Sequence, residues 1–174
     1  LHDASGVARF ETLALAQTEV NHLATTPIGL LVAGREGIYH WRDGKLTQIV
    51  SDLLVWRLVP SRSVADRIYA VEDAGLLVLD RDGDQYRVVD HFTDPLFRFD
   101  EIAEDADGSL WVDRLLADPM RFEMRPDRSL GDPQSIDLSP HRSADSNAAV
   151  LALDGNALVA TESALLAWDG QRFA

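Results

Sequence analysis

The stretch from Leu30 to Leu46, LLVAGREGIYHWRDGKL, decides how the chain is read. An apolar run (Leu30, Leu31, Val32, Ala33) is cut by Arg35-Glu36 and Gly37. A second run, Ile38-Tyr39-His40-Trp41, is cut by Asp43-Gly44, and a third begins at Leu46. Short apolar, β-branched or aromatic runs broken by Gly and Asp-Gly are strands joined by hairpins, because a two-residue turn needs a left-handed backbone that Gly and Asp adopt cheaply. The pattern returns at Ile68 to Gly83, IYAVEDAGLLVLDRDG, and at Leu158 to Gly170, LVATESALLAWDG. With small gaps Ala33, Ala70 and Ala160 align, and Gly37 meets Gly75 and Ala164. Trp41 meets Leu79 and Trp168, and Asp43-Gly44 meets Asp82-Gly83 and Asp169-Gly170. The chain reads as a repeat.

Outward from that stretch, four units are expected. The first covers 20–50 and the second 54–90, with the loop Pro60 to Asp66 inside it. The third, 98–138, opens at Phe99, turns at Asp107-Gly108, and has an irregular middle loop from Arg114 to Pro119. The fourth is 148–174, and residues 7–13 are read as the last strand of a preceding unit. Leu31, Ile68, Leu110 and Leu158 recur at 37, 42 and 48 residues. A period of roughly 40–50 residues with four strands per unit is that of a β-propeller blade. A β-sandwich has similar strands but does not require the same punctuation in every fourth strand. No window shows sustained helical spacing, which removes helical solenoids. The expected fold is all-β: a propeller of about four blades of four antiparallel strands.

The 174 residues are enough for one domain with a sizeable core. A net charge of −13, from 29 acidic against 16 basic residues, repels phosphate backbones and anionic lipid. No nucleic-acid partner and no membrane contact are expected for this segment. There is no cysteine, hence no disulfide and no thiolate metal site. No run of about 18 apolar residues occurs, and LHDASGVARF has no leader pattern. Opening on Leu1, the chain is expected to be part of a longer protein.

Residues 99–112, FDEIAEDADGSLWV, resemble the repeat of the two-component-regulator propellers, in which an acidic strand end, an Asp-x-x-Gly turn and Leu-Trp-Val follow one another. Gly37-Ile38-Tyr39-His40-Trp41-Arg42-Asp43-Gly44 is similar to that family's continuation. The resemblance spans nearly the whole chain, although only the third unit carries Leu-Trp. It implies the periplasmic sensor region of a bacterial signalling protein whose output is a histidine kinase or diguanylate cyclase, dimeric through the full-length protein. It also implies an oligosaccharide or other small extracellular ligand, and a larger ring of about seven blades that this chain only partly supplies.

Trp41, Leu79 and Trp168 share one repeat position and read as core between sheets rather than a sugar-stacking platform, and Trp111 reads likewise. Trp56 lies on an innermost strand, where one face lines the channel, and is a candidate ligand contact. The alternating acids Asp80-Asp82-Asp84 and Asp105-Asp107 fail as calcium loops, because the sixth and twelfth positions are Gln85 and His91, or Leu110 and Leu116. The five histidines show no zinc spacing, and no nucleophile elbow or phosphate loop appears. No metal, cofactor or catalytic residue is expected. Ligand contacts are expected on the end built from the turns between second and third strands, at Arg35, Glu36, Glu72, Asp73 and Arg114, where Arg suits a carboxylate or sulfate. A carbohydrate-active propeller enzyme and a protein-binding scaffold are the competing readings.

Overall fold

The computed structural model describes residues 19–94, 101–114, 116–143, 146 and 148–173. The strand expected at 7–13 and the opening of the third unit at Phe99 lie outside them. The described residues hold no helix, and their strands form four antiparallel sheets in chain order. The first sheet is β1 (Val20–Thr26), β2 (Gly29–Gly34), β3 (Gly37–Arg42) and β4 (Lys45–Ser51). The second is β5 (Val55–Pro60), β6 (Arg67–Glu72), β7 (Gly75–Asp82) and β8 (Gln85–Thr93). The third is β9 (Ile102–Glu104), β10 (Leu110–Arg114), β11 (Ala117–Phe122) and β12 (Gln134–Ser135). The fourth is β13 (Ala149–Leu153), β14 (Asn156–Ala160) and β15 (Leu165–Ala167), with a lone bridge from Trp168 to Phe173 where a further strand was expected.

Three hydrophobic cores lie between successive sheets. Leu31, Ala33 and Ile38 of the first sheet meet Leu58, Ile68, Leu77 and Leu79 of the second. Tyr69, Val71, Leu76 and Val78 meet Leu110, Val112 and Phe122 of the third. Trp111 and Leu138 meet Val150, Val159 and Leu166 of the fourth. In β7, therefore, Leu77 and Leu79 face one neighbour while Leu76 and Val78 face the other. A sheet buried on both faces needs apolar residues at consecutive positions, so its strands read as unbroken apolar runs. Each fully buried Leu contributes roughly 1.5–3 kcal/mol from the area it removes from water.

The registers correct the repeat alignment by one residue. Gly34 pairs with Gly37 across the β2–β3 turn, and Glu72 pairs with Gly75 across the β6–β7 turn. The partner of Ala33 in the repeat is thus Val71 rather than Ala70. Both Ala33 and Val71 face the following sheet, whereas Ala70 faces the preceding one. A period of two makes such a slip exchange the faces, so only packing detects it. Gly37 and Gly75 keep their match for a steric reason. A Cβ at Gly37 would collide with the Val50 carbonyl, and one at Gly75 with the Phe92 carbonyl. In these two sheets the fourth strand passes too close to that site for any side chain.

The shared aromatic position also resolves unequally. Leu79 is fully buried against the first sheet and Trp168 packs on the third core. Trp41 is only half-buried, because its side chain is on the face of β3 away from the second sheet. Trp111 is fully enclosed, 4.9 Å from Trp168 and 5.0 Å from Phe173 by ring centroids, with Arg121 lying 5.7 Å from the Trp111 and Trp168 rings.

The acidic Asp-x-x-Gly motif ties three sheets together. Buried Glu104 accepts hydrogen bonds from the Ser61 hydroxyl at 2.8 Å, from the Arg62 amide and from Ser63, all in the β5–β6 loop. Asp105 accepts from the Ala157 amide at the start of β14, 3.2 Å away. Within the turn, Gly108 N donates to Asp105 O at 3.0 Å and Ser109 N to Asp107 Oδ1 at 2.8 Å.

Candidate functional site

The turns between second and third strands, together with the connections between sheets, share one end of the stack. The Arg35 amide donates to Glu19 O, Asp73 N to Leu54 O and Asp113 N to Glu101 O, so each such turn sits beside the entry to its own first strand. The first strands of the first two sheets are neighbours. The Asn21 side chain donates to Val55 O at 2.9 Å, and Leu58 N donates to His22 Nδ1 at 3.4 Å. Burial and then the Arg57 guanidinium push the His22 imidazole below its ordinary pKa, which keeps that nitrogen available as an acceptor. Arg57 in turn pairs with Glu101 ahead of β9.

The six residues expected to contact a ligand take four different situations. Arg35 and Glu36 are exposed on the β2–β3 turn, where Glu36 accepts a 3.5 Å hydrogen bond from the Tyr39 hydroxyl. Asp73 is exposed on the β6–β7 turn. Glu72, by contrast, is buried and braces that turn, accepting the Ala74 amide at 2.9 Å with His91 Nε2 3.4 Å from its other oxygen. Its carboxylate is thereby committed to structure. Trp56 is 45 % exposed, at the irregularity between Val55 and Arg57 in β5 where the strand gains an unpaired residue.

Arg114 corrects the expected loop. It closes β10, pairs with Ala117, and is buried rather than solvated. Leu116 lies in the turn before β11, with a left-handed backbone at φ 56° and 57 % exposed. Arg114 Nε donates to Asp118 O at 2.7 Å and Nη2 to Ser135 Oγ at 2.9 Å, while Asp94 lies 3.9 Å from Nη1. Burial pulls the Arg114 pKa below its ordinary value, against the opposing pull of Asp94 and Asp118.

A second arginine, which the sequence did not single out, completes the cluster. Arg142 donates from Nη2 to Asp118 Oδ1 at 3.0 Å and from Nη1 to Ser146 O at 2.7 Å. The loop at Arg142 is held to the turn that follows β14. There Ser143 N donates to Glu162 Oε1 at 3.0 Å. Arg114, Asp118 and Arg142 line a cavity of about 470 Å³ with Leu116, Ser139 and Ser143. The His-Arg pair in a Pro/Ser-rich connection was the available signal, but nothing local ties Arg142 to Asp118, 24 positions earlier. Among the described residues no three His, Asp or Glu side chains converge as metal ligands, and no helix is long and apolar enough to cross a membrane.

No protein-family model and no curated protein matches the chain. Solved structures do. The chain is similar to the extracellular domain assigned to a one-component system of B. thetaiotaomicron, with TM-score 0.60 and 19 % identity over 91 % of this chain and 22 % of that one. It is also similar to the extracellular domain assigned to a hybrid two-component system of B. thetaiotaomicron, with TM-score 0.54 and 15 % identity over 94 % of this chain and 28 % of that one. A third is a protein of unknown function from Bacteroides caccae, with TM-score 0.53 and 14 % identity over 91 % of this chain and 60 % of that one. The chain thus spans about a quarter of the two extracellular domains, and the likeness is one of fold.

Proposed function

We propose that this chain is part of a β-propeller from the extracytoplasmic, periplasmic sensor region of a bacterial two-component or diguanylate cyclase signalling protein, and that it acts by binding without chemistry of its own. The observation that carries the reading is the stacking of four repeat sheets in chain order, with likeness to two extracellular domains of signalling systems. Four units are fewer than the roughly seven of such rings. The outward face of the fourth sheet supports a larger ring, since Leu151, Leu153 and Leu165 there are 45, 57 and 61 % exposed. The ligand is an oligosaccharide or another small extracellular molecule. Its binding energy shifts how two subunits of the full-length dimer sit, and that shift reaches the output domain.

The test incubates the chain with a panel of oligosaccharides and reads melting temperature and product masses together. Saturable stabilisation without cleavage is expected. Cleavage of any member overturns the reading in favour of a carbohydrate-active enzyme. A gene whose flanking sequence lacks further repeats, a membrane helix and a kinase or cyclase also defeats it.

A further inference from the structure

Two strand irregularities lie on the neighbouring first strands of the first two sheets. In β1 the register passes from Val20 to His22 and leaves Asn21 unpaired, and in β5 it passes from Val55 to Arg57 and leaves Trp56 unpaired. A bulged residue is re-aimed out of the ladder, and Trp56 is largely open to solvent there. Both flanks of the Trp56 bulge are tied to β1. Before it, the Asn21 side chain donates to Val55 O at 2.9 Å; after it, Leu58 N donates to His22 Nδ1 at 3.4 Å.

The two ties differ in chemistry. A side-chain amide neither gains nor loses a proton near neutral pH. A histidine nitrogen that accepts from an N–H is unprotonated, so the neutral ring carries its proton on Nε2. One more proton turns Nδ1 into a donor facing the Leu58 N–H, and sets a cation beside Arg57. β1 packs against β2 and β5. Of these, β2 carries no titratable side chain and β5 carries Arg57, whose own partner is Glu101. Burial and Arg57 both oppose the charged ring.

We propose that His22 is an acid-sensitive clasp: neutral, it holds β5 just past the Trp56 bulge, and protonated, it releases that flank while Asn21 keeps the other. Mild acid then changes how Trp56 is presented at the junction of the first two sheets. The device stands apart from the binding role above and works whatever the chain binds. A histidine depressed in the folded state adds stability above its unfolded value of about 6.5, and that stability is lost as pH falls towards the folded value.

The test takes the 174-residue chain from about pH 8 to about pH 5, labelled with isotopic histidine and fluorotryptophan and read by NMR. His22→Asn is carried alongside, since its side-chain oxygen can accept in place of Nδ1 and does not titrate. Trp56→Phe assigns the Trp56 fluorine signal. In wild type, His22 Nδ1 is expected to be the unprotonated nitrogen at neutral pH. As the ring titrates, the Leu58 amide, corrected for its intrinsic pH dependence, should exchange about fivefold faster, as for loss of one neutral hydrogen bond. The Trp56 signal should move with the same midpoint. Both responses should be flat in His22→Asn, and Arg57→Gln should move the three wild-type midpoints upward together. A neutral ring protonated on Nδ1 overturns the clasp. So does Leu58 protection that ignores the His22 titration, or the same acid response in His22→Asn.

Discussion

The second and fourth sheets share the same hairpin punctuation, Asp82-Gly83 and Asp169-Gly170, yet are buried differently. Every residue of β6, and all of β7 from Gly75 to Leu79, is buried, because the sheet is packed between two others. The fourth sheet sends Val150, Val159 and Leu166 into the third core while Leu151, Leu153 and Leu165 remain exposed on its other face. Strand formation therefore does not depend on covering both faces. What the second covered face adds is energy, on the order of 25 cal/mol per Å² of apolar surface removed from water.

That contrast breaks most sharply at Trp111, where the third and fourth sheets meet. Trp111→Ala removes the centre of the aromatic cluster and should cost about 3–5 kcal/mol, measured by urea unfolding. Amide exchange should show the fourth sheet losing protection before the second, since the second keeps both of its cores. Equal loss in both sheets would mean that the stack unfolds as one unit.

Leu79→Ala in the second sheet should cost about 2–4 kcal/mol, while Leu153→Ala in the fourth should stay within about 0.5 kcal/mol. A large effect at Leu153 in the isolated chain would show that its face is covered in solution. Glu104→Ala should cost roughly 1–3 kcal/mol, because the Ser61, Arg62 and Ser63 donors of the second sheet lose their acceptor. Exchange of the amides in that loop is the measurement.

The smallest effect is a pH dependence at the edge of the third core. Burial pushes the Asp107 carboxyl up, but hydrogen bonds from Ser109 and the Arg121 guanidinium outweigh it and hold the group below the ordinary carboxylate range. A carboxyl depressed in the folded state adds stability above its unfolded pKa and loses it as pH falls through the folded value. Acid unfolding of Asp107→Asn should accordingly show a shallower fall in stability below about pH 4 than wild type. An unchanged slope would remove Asp107 from the accounting.

Many strands and hairpin turns were legible in the sequence because each depends on neighbours within a few residues. Asp43-Gly44 forms a turn with both residues at positive φ, a conformation that few other pairs tolerate. The two-sided burial of β7 was legible as an unbroken apolar run, but not which leucine faced which sheet. The one-residue slip at Ala70 and the half-exposed Trp41 both follow from that gap, since face is set by the neighbour and not by the strand itself. Among the candidate ligand contacts, Arg114 was expected in the loop between a second and a third strand, whereas it closes β10. Its burial, and its company with Asp118 and Arg142, required the loop of one sheet connection to fold onto the turn of another.

By itself, then, the sequence determined an all-β chain of antiparallel hairpins, through local turn chemistry and strand patterning that act within each hairpin. Tertiary structure alone decided which faces are covered, that Glu104 locks one sheet to the loop of the one before it, and that two arginines 28 positions apart border one cavity. These depend on contacts between residues distant in the chain, which no local pattern encodes.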